Sequence, residues 1–291
     1  MKRVILLSVM AALPLLGGCR PSDETPAKDI CVQLYSVRSI IGQNYSQTLQ
    51  NLAEMGFTAV EAAGYSDGQF YGRTPEEFKA DVEAVGMKVL SSHVSNGLGP
   101  EEFSSGDFSS KLAWWDKCIA DHKAAGMKYI VTPWMGLQEN LSDLQLYCEY
   151  LNAVGKKCAE AGIKYGYHNH NYEFEKVEGQ VMYDYLLEHT DPAYVFFQMD
   201  VYWAVMGKAS PVEYFKRYPG RFTMLHIKDE KEIGQSGMVG FDAIFGNADI
   251  AGMEDYVVEV ERYSYDDVEK SVKESIDYLK AAPFVKSSYS K

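Results

Sequence analysis

AEAGIKYGYH, residues 159–168, leaves a helical stretch at Ala161-Gly162, runs through apolar and aromatic residues, and stops on a histidine. The same phrase recurs as AEMGFTAVE (53–61), EAVGMKVLSSH (83–93), KAAGMKYIVTPW (123–134) and IAGMEDYVVE (250–259). Two further runs, VFFQMD (195–200) and PGRFTMLH (219–226), lack the Ala-Gly entry but also end on a polar residue. A glycine closing a helical pattern marks a left-handed C-cap, and a short apolar run after it suits a buried parallel strand. Closed into a barrel, such strands would bring all the polar run ends to one mouth, the face where parallel barrels carry their functional groups.

The rest of the chain supplies the units this requires. Leu49, Leu52 and Met55 have helical spacing and predict a helix over 45–55. Thr74-Pro75-Glu76-Glu77 combines an N-cap, a first-turn proline and early carboxylates, so a helix is expected over 75–85. Further helices are expected over 108–125, 141–160, 181–189, 211–218, 241–249 and 268–281. The first strand is expected over 31–37, and others begin at Thr58, Lys88, Tyr129, Lys164, Val195, Thr223 and Tyr256. Strand and helix in alternation imply a parallel sheet, and eight such strands make a (β/α)8 TIM barrel. An open doubly wound sheet is the rival, but CVQLYSVRSIIG (31–42) offers one glycine where a dinucleotide fold needs GxGxxG.

Residues 1–18 stand apart, with basic Lys2 and Arg3, an apolar stretch from Val4 to Leu16, and Gly17-Gly18 before Cys19. This is a secretory leader, too short for a membrane span. It resembles a bacterial lipoprotein signal, which implies a lipidated Cys19 and an exported lipoprotein of the periplasm or outer membrane, attached through the lipid anchor only. An ordinary cleaved signal with a coincidental cysteine is the alternative. Residues 19–29, rich in Pro, Asp, Glu and Lys, read as a flexible tether. Residues 30–291 are close to the ~250 residues typical of one barrel domain.

The remaining cysteines, at 31, 118, 148 and 158, show no zinc-ligand spacing; export would permit a disulfide, but Cys148 and Cys158 lie within one expected helix and are expected to be buried small hydrophobes. Forty-one acidic against 28 basic residues give a formal charge of −13, which argues against a nucleic-acid partner.

Asp200, His226 and Glu259 end three consecutive strands. Any one of them reads as an ordinary polar residue at a barrel mouth; together they read as a ligand set for one divalent ion. A mixed His and carboxylate set suits Mn, Co, Zn, Fe or Mg.

With VQLYSVR (32–38), YHNHNYEFE (167–175), QMDVYWAVMG (198–207), HIKD (226–229) and VEVERYSYDD (258–267), the chain resembles the sugar isomerase/epimerase family with the xylose-isomerase-like barrel. The resemblance spans nearly all of residues 30–291. It implies a divalent ion held by Glu on the fifth strand, Asp on the sixth, His on the seventh and Glu on the eighth. The last three match Asp200, His226 and Glu259. The fifth strand departs from the family, because KYGYHNH (164–170) ends on His168 and His170, whose i, i+2 spacing puts them on one face. His168 is the expected replacement ligand, and Glu173 in the following loop is the alternative.

Family epimerases use the two metal-bound carboxylates as acid and base on opposite faces of the substrate, and this chain keeps Glu259 alone. A metal holding a carbonyl and its neighbouring hydroxyl stabilises the enediolate left when the α-proton departs. His170 or His93 is the candidate base, with Glu259 as its partner; the bland reading makes each an orienting neighbour of the ion. Gln33, Tyr35, Trp134, Trp203, Lys228 and Arg262 are candidates for holding the sugar, with ordinary barrel packing as the competing role.

The chain is thus expected to be a metal-dependent sugar isomerase or epimerase. A lyase or hydratase acting on 3-keto-glycosides and a non-catalytic sugar-binding lipoprotein are the alternatives. Sparse cationic residues near the mouth favour a free, oxidised or glycosidic sugar as the small-molecule partner over a phosphorylated one.

Overall fold

The computed structural model describes residues 27–290, so the leader, Cys19 and most of the tether lie outside the described residues. Eight parallel strands close into a barrel: β1 (Cys31–Gln33), β2 (Ala59–Ala62), β3 (Lys88–His93), β4 (Tyr129–Thr132), β5 (Lys164–His168), β6 (Val195–Asp200), β7 (Met224–Lys228) and β8 (Asp255–Glu259). Each pairs with its neighbour in sequence, and β8 returns to pair with β1. The main outer helices are α1 (Tyr45–Met55), α2 (Pro75–Ala84), α3 (Ser109–Ala124), α4 (Leu141–Glu160), α5 (Met182–His189), α6 (Pro211–Arg217), α7 (Phe241–Gly246) and α8 (Val268–Ala281).

The glycine punctuation has the expected physical basis. Gly56, Gly86, Gly126, Gly162 and Gly252 all have positive φ, from 78° to 103°, where a side chain would be strained. At the start of α2, Thr74 and Glu77 form the reciprocal capping box, with Thr74 N–H donating to Glu77 Oε2 at 2.9 Å and Glu77 N–H to Thr74 Oγ1 at 3.2 Å. The four cysteines within the described residues are buried and unpaired.

Two expected elements differ. The first strand stops at Gln33 instead of Val37, because the Gln33 side chain accepts the Tyr35 N–H at 3.1 Å and turns the chain into a 3-10 turn, Leu34–Val37. The helix expected over 241–249 breaks at Asn247, separating Phe241–Gly246 from Ala248–Ala251. There the Asn247 side chain donates back to the Ala243 carbonyl at 2.8 Å, the local competition with the helix that this residue type brings.

The two-residue period of the strands explains how the site is positioned. Alternate residues Val32, Val60, Phe197, Met199, Leu225, Ile227 and Val258 belong to the large core cluster. Their neighbours point into the barrel in layers, as closed parallel barrels require. Cys31, Ala59, Tyr129, Val131, Phe196, Met224 and Val257 form a separate apolar cluster inside it. Two residues further along the same strands come Gln33, Glu61, Gln198, His226 and Glu259, all buried. Asp200 and Lys228, two residues further again on β6 and β7, are also buried.

Candidate active site

The register of neighbouring strands sets Gln33 beside Glu61, His168 beside Gln198, Asp200 beside His226, and Lys228 beside Glu259. Glu61 is the anchor beneath the mouth. Its Oε1 accepts from Gln33 Nε2 at 2.8 Å and lies 2.7 Å from His226 Nε2 and 3.1 Å from His93 Nε2. Its Oε2 accepts from Gln198 Nε2 at 2.8 Å and from the Ser91 hydroxyl. Burial alone would push this carboxyl up, but His93 and His226 hold it well below the usual carboxylate range.

An ionised Glu61 accepts only, and this fixes the protons around it. The Gln198 amide must direct its NH2 at Glu61, so its Oε1 faces His93 Nε2 at 2.7 Å and His168 Nδ1 at 3.1 Å. Both of those nitrogens are therefore donors, and His168 keeps the lone pair on Nε2. By the same logic His226 donates through Nε2 to Glu61 and presents an unprotonated Nδ1 when its ring is neutral.

That Nδ1 lies 3.8 Å from Asp200 Oδ2 and 3.7 Å from Glu259 Oε2. Asp200 Oδ2 and His226 Nδ1 are both buried without a hydrogen-bond partner. Three acceptors converging on a common point, two of them without partners inside the protein, form an arrangement that a cation stabilises and a vacuum does not. Ligand distances of about 2.0–2.2 Å for a first-row divalent ion fit donor atoms with this separation. Without an ion, Asp200, Glu259 and Glu61 outweigh burial and raise His226 well above its ordinary value, so a proton occupies the same place.

The second Asp200 oxygen has a structural task. Oδ1 accepts from Trp203 N–H at 2.8 Å and caps the short helix Val201–Met206, while Asn169 Oδ1 accepts the Asp200 N–H at 3.1 Å. Burial raises the Asp200 carboxyl, offset only in part by His226 and Lys228. Glu259 is also buried, yet Lys228 at 3.5 Å and His226 bring its carboxyl down to about 2. Lys228 is itself buried and paired with Glu261 at 2.7 Å, and these carboxylates hold its ammonium charge.

The three mouth histidines differ. His168, closed in by burial and by His226 and His93, stays neutral, with its ring 4.7 Å from that of His226. His170 leaves Nδ1 without a partner, and burial lowers its basicity. Its ring lies parallel to Tyr172 and edge-on to Trp134, at 6.0 Å and 5.4 Å. His93 has its Nε2 committed to Gln198 and Glu61.

Glu173 does not point toward the Asp200, His226 and Glu259 group. Its oxygens accept from the Tyr167 hydroxyl at 2.6 Å and from His170 N–H at 2.8 Å, so it braces the His170 turn from behind. Burial pushes this carboxyl up to about 7 despite the Tyr167 hydrogen bond. Gln33 is fully buried and bound to Glu61, beneath the mouth and away from its opening. Tyr35 and Trp134 are 42% and 53% exposed at the rim; Trp203 packs against the core, and Arg262 is exposed. Glu61, Ser91, Gln198 and Asn169, which hold the group together, were not among the expected site residues.

A cavity of about 450 Å³ opens over this group, walled by residues that include His93, His168, His170 and Glu259. A larger one, about 600 Å³, lies at the opposite end of the barrel. The chemistry does not belong there, because its carboxylates Glu254 and Asp255 are already paired with Lys128 at 3.1 and 2.9 Å.

A family model described as a xylose isomerase-like TIM barrel matches residues 49–282. A sugar phosphate isomerase/epimerase of known structure from Parabacteroides distasonis is 35% identical and superposes with a TM-score of 0.85, covering 91% of this chain and 98% of its own. An inosose dehydratase of Salmonella typhimurium is 24% identical over 195 residues, 64% of this chain. The match spans 62% of that relative's length. The IOLI protein, solved with a zinc atom bound, is 12% identical with a TM-score of 0.66 over 88% of this chain and 98% of its own, a likeness of fold.

Proposed function

The chain belongs to the xylose isomerase-like TIM barrel family, and from that premise we propose that it is a metal-dependent sugar isomerase or epimerase that removes the proton next to a sugar carbonyl. The observation that carries this reading is the convergence of Asp200 Oδ2, His226 Nδ1 and Glu259 Oε2, two of them buried without a partner. His168, through its Nε2, is the proposed fourth ligand.

A divalent ion there would polarise the sugar carbonyl and stabilise the negative charge that builds on its oxygen. The chain's own residues supply the proton handling. Glu259 is ionised at neutral pH and His170 is neutral with a free Nδ1, so either can take the proton next to the carbonyl and, once protonated, return it to carbon. Gln198 and Glu61 hold His168 and His226 in the tautomers that present lone pairs to the mouth. Among the described residues neither Lys nor Arg lines the cavity, while Glu259 and Glu261 do, which supports an uncharged sugar over a phosphorylated one.

The test is exchange. Metal-loaded protein incubated with a free keto-sugar in D2O should incorporate deuterium at the carbon next to the carbonyl, and Asp200→Ala should not. Sugar binding without exchange would reject an enzyme reading in favour of a sugar-binding protein.

His168 in place of the family carboxylate favours a second reading, elimination. Epimerisation needs a group able to work on each face, whereas elimination needs one base and one acid for the departing β-substituent, a task within reach of a histidine. Release of aglycone from a 3-keto-glycoside without an epimer would select it. The exported, lipid-anchored location is likewise proposed: Cys19→Ala should abolish lipid labelling and move the protein from the membrane to the soluble fraction.

A further inference from the structure

The mouth is divided by chemistry along the strand order. The strand ends from β5 to β8 supply His168, Asp200, His226 and Glu259, with His170 just beyond β5. The segments following β1 to β4 instead supply rings: Tyr35 after β1, Tyr65 after β2, Trp114 on α3 and Trp134 after β4. All four line the same cavity of about 450 Å³ as His168, His170 and Glu259. Among the described residues, six large hydrophobic side chains are notably exposed, and Tyr35, Trp114 and Trp134 are three of them.

These rings are held in place. The Tyr65 hydroxyl donates to Asp121 Oδ2 at 2.7 Å, and Trp114 stands edge-on to Tyr65 at 6.2 Å. Trp134 is edge-on to Tyr172 at 4.8 Å and to His170 at 5.4 Å, so the ring touches the polar half directly. The remaining wall on this side is Ala63, Val94, Ser95 and Pro133, with His93 at the end of β3 as its one titratable group among the described residues. Exposed, fixed aromatic faces beside a polar pocket are a surface for a second flat ring.

We propose that the β1–β4 half of the mouth is a subsite for the ring attached to the reacting sugar, so that the substrate class is a glycoside with a flat, uncharged aglycone. The inference rests on the sugar reading of the β5–β8 half and adds what that sugar carries. An aryl group and a second pyranose share the required chemistry, a flat face of low polarity.

Binding of glycosides that are not turned over tests it separately from catalysis. Methyl β-D-glucopyranoside, p-nitrophenyl β-D-glucopyranoside and cellobiose are titrated calorimetrically into the mature protein and into Trp134→Ala, Trp134→Phe and Trp114→Ala. The expected result is that at least one two-ring ligand binds about tenfold more tightly than the methyl glycoside. That preference should fall in Trp134→Ala and Trp114→Ala and persist in Trp134→Phe, and which ligand gains identifies the second ring as aryl or sugar. Equal affinities, a preference that survives both alanine substitutions, or no binding of the two-ring ligands at millimolar concentration would overturn the subsite. Asp200→Ala keeps the preference if the subsite is real, whether or not the metal chemistry is.

Discussion

His226 reaches Glu61 Oε1 with its Nε2 at 2.7 Å and so ties β7 to β2 through the middle of the barrel. The contact joins a layer that the strands alone would leave as unrelated polar ends, and it decides which nitrogen of His226 faces the mouth.

Glu61→Ala removes the acceptor for Gln33, Ser91, Gln198 and His226 at once. Loss of one partner from a buried, hydrogen-bonded charge pair costs about 3–5 kcal/mol, which for a domain of this size lowers the melting temperature by roughly 10 °C. Thermal denaturation checks this, and a melting temperature within about 2 °C of wild type would contradict the anchoring role.

Asp200 separates ligand from cap. Asp200→Asn keeps an oxygen for the Trp203 N–H while removing the charge. It should melt close to wild type but bind a divalent ion at least about tenfold more weakly. Asp200→Ala should lose the ion as well and about 1 kcal/mol of stability with the cap. Metal titration paired with thermal melting distinguishes the two oxygens.

Metal binding should release a proton. His226 is raised well above its ordinary value by Asp200, Glu259 and Glu61, so near neutral pH its ring carries the proton that an ion must displace. Affinity therefore rises with pH, by about tenfold per unit while His226 remains protonated in the free protein. Calorimetric titration in two buffers of different ionisation enthalpy should report about one proton released per ion; a heat independent of the buffer would count against this exchange.

Glu173 gives a pH dependence of opposite sign to that of a salt-bridged carboxylate. Its carboxyl sits at about 7 in the folded chain against 4.5 ordinarily. The folded state thus holds its proton longer than the unfolded state, and stability falls as pH rises from about 4.5 to 7, then stays level for this group. Glu173→Gln should remove that slope, so its stability relative to wild type improves between pH 5 and pH 8 by an amount on the order of 3 kcal/mol. Denaturant melts at both pH values measure the difference.

The sequence was most readable where one residue's type and place are enough. A helix-capping glycine, an apolar run and a polar terminus locate a strand end, and so the barrel and the group of Asp200, His226 and Glu259 follow from pattern alone. Gln198 was not readable in this way, because an amide's role depends on which side chains from β2, β3 and β5 its two ends meet. Glu61 was visible as the end of a strand, but nothing in the run AEMGFTAVE tells whether its carboxylate opens to solvent or lies under a layer of histidines. Glu173 reads in the sequence as the alternative to His168, because nothing in YHNHNYEFE shows that the Tyr167 hydroxyl donates to its carboxylate. Trp114 carries no such signal, because it adjoins Trp115 in a helix and only helix phase against the barrel leaves one ring fully buried and the other 40% exposed.

One ring nitrogen of His226 faces an anion fixed within the barrel and the other faces Asp200 and Glu259, where a proton or, on the proposed function, an ion would sit. Exchanging one cationic occupant for the other leaves the imidazole between opposite charges in either state. Stripping the metal should therefore silence the protein without unfolding it, and adding the ion back should restore it, unlike small metal-nucleated domains that collapse when chelated.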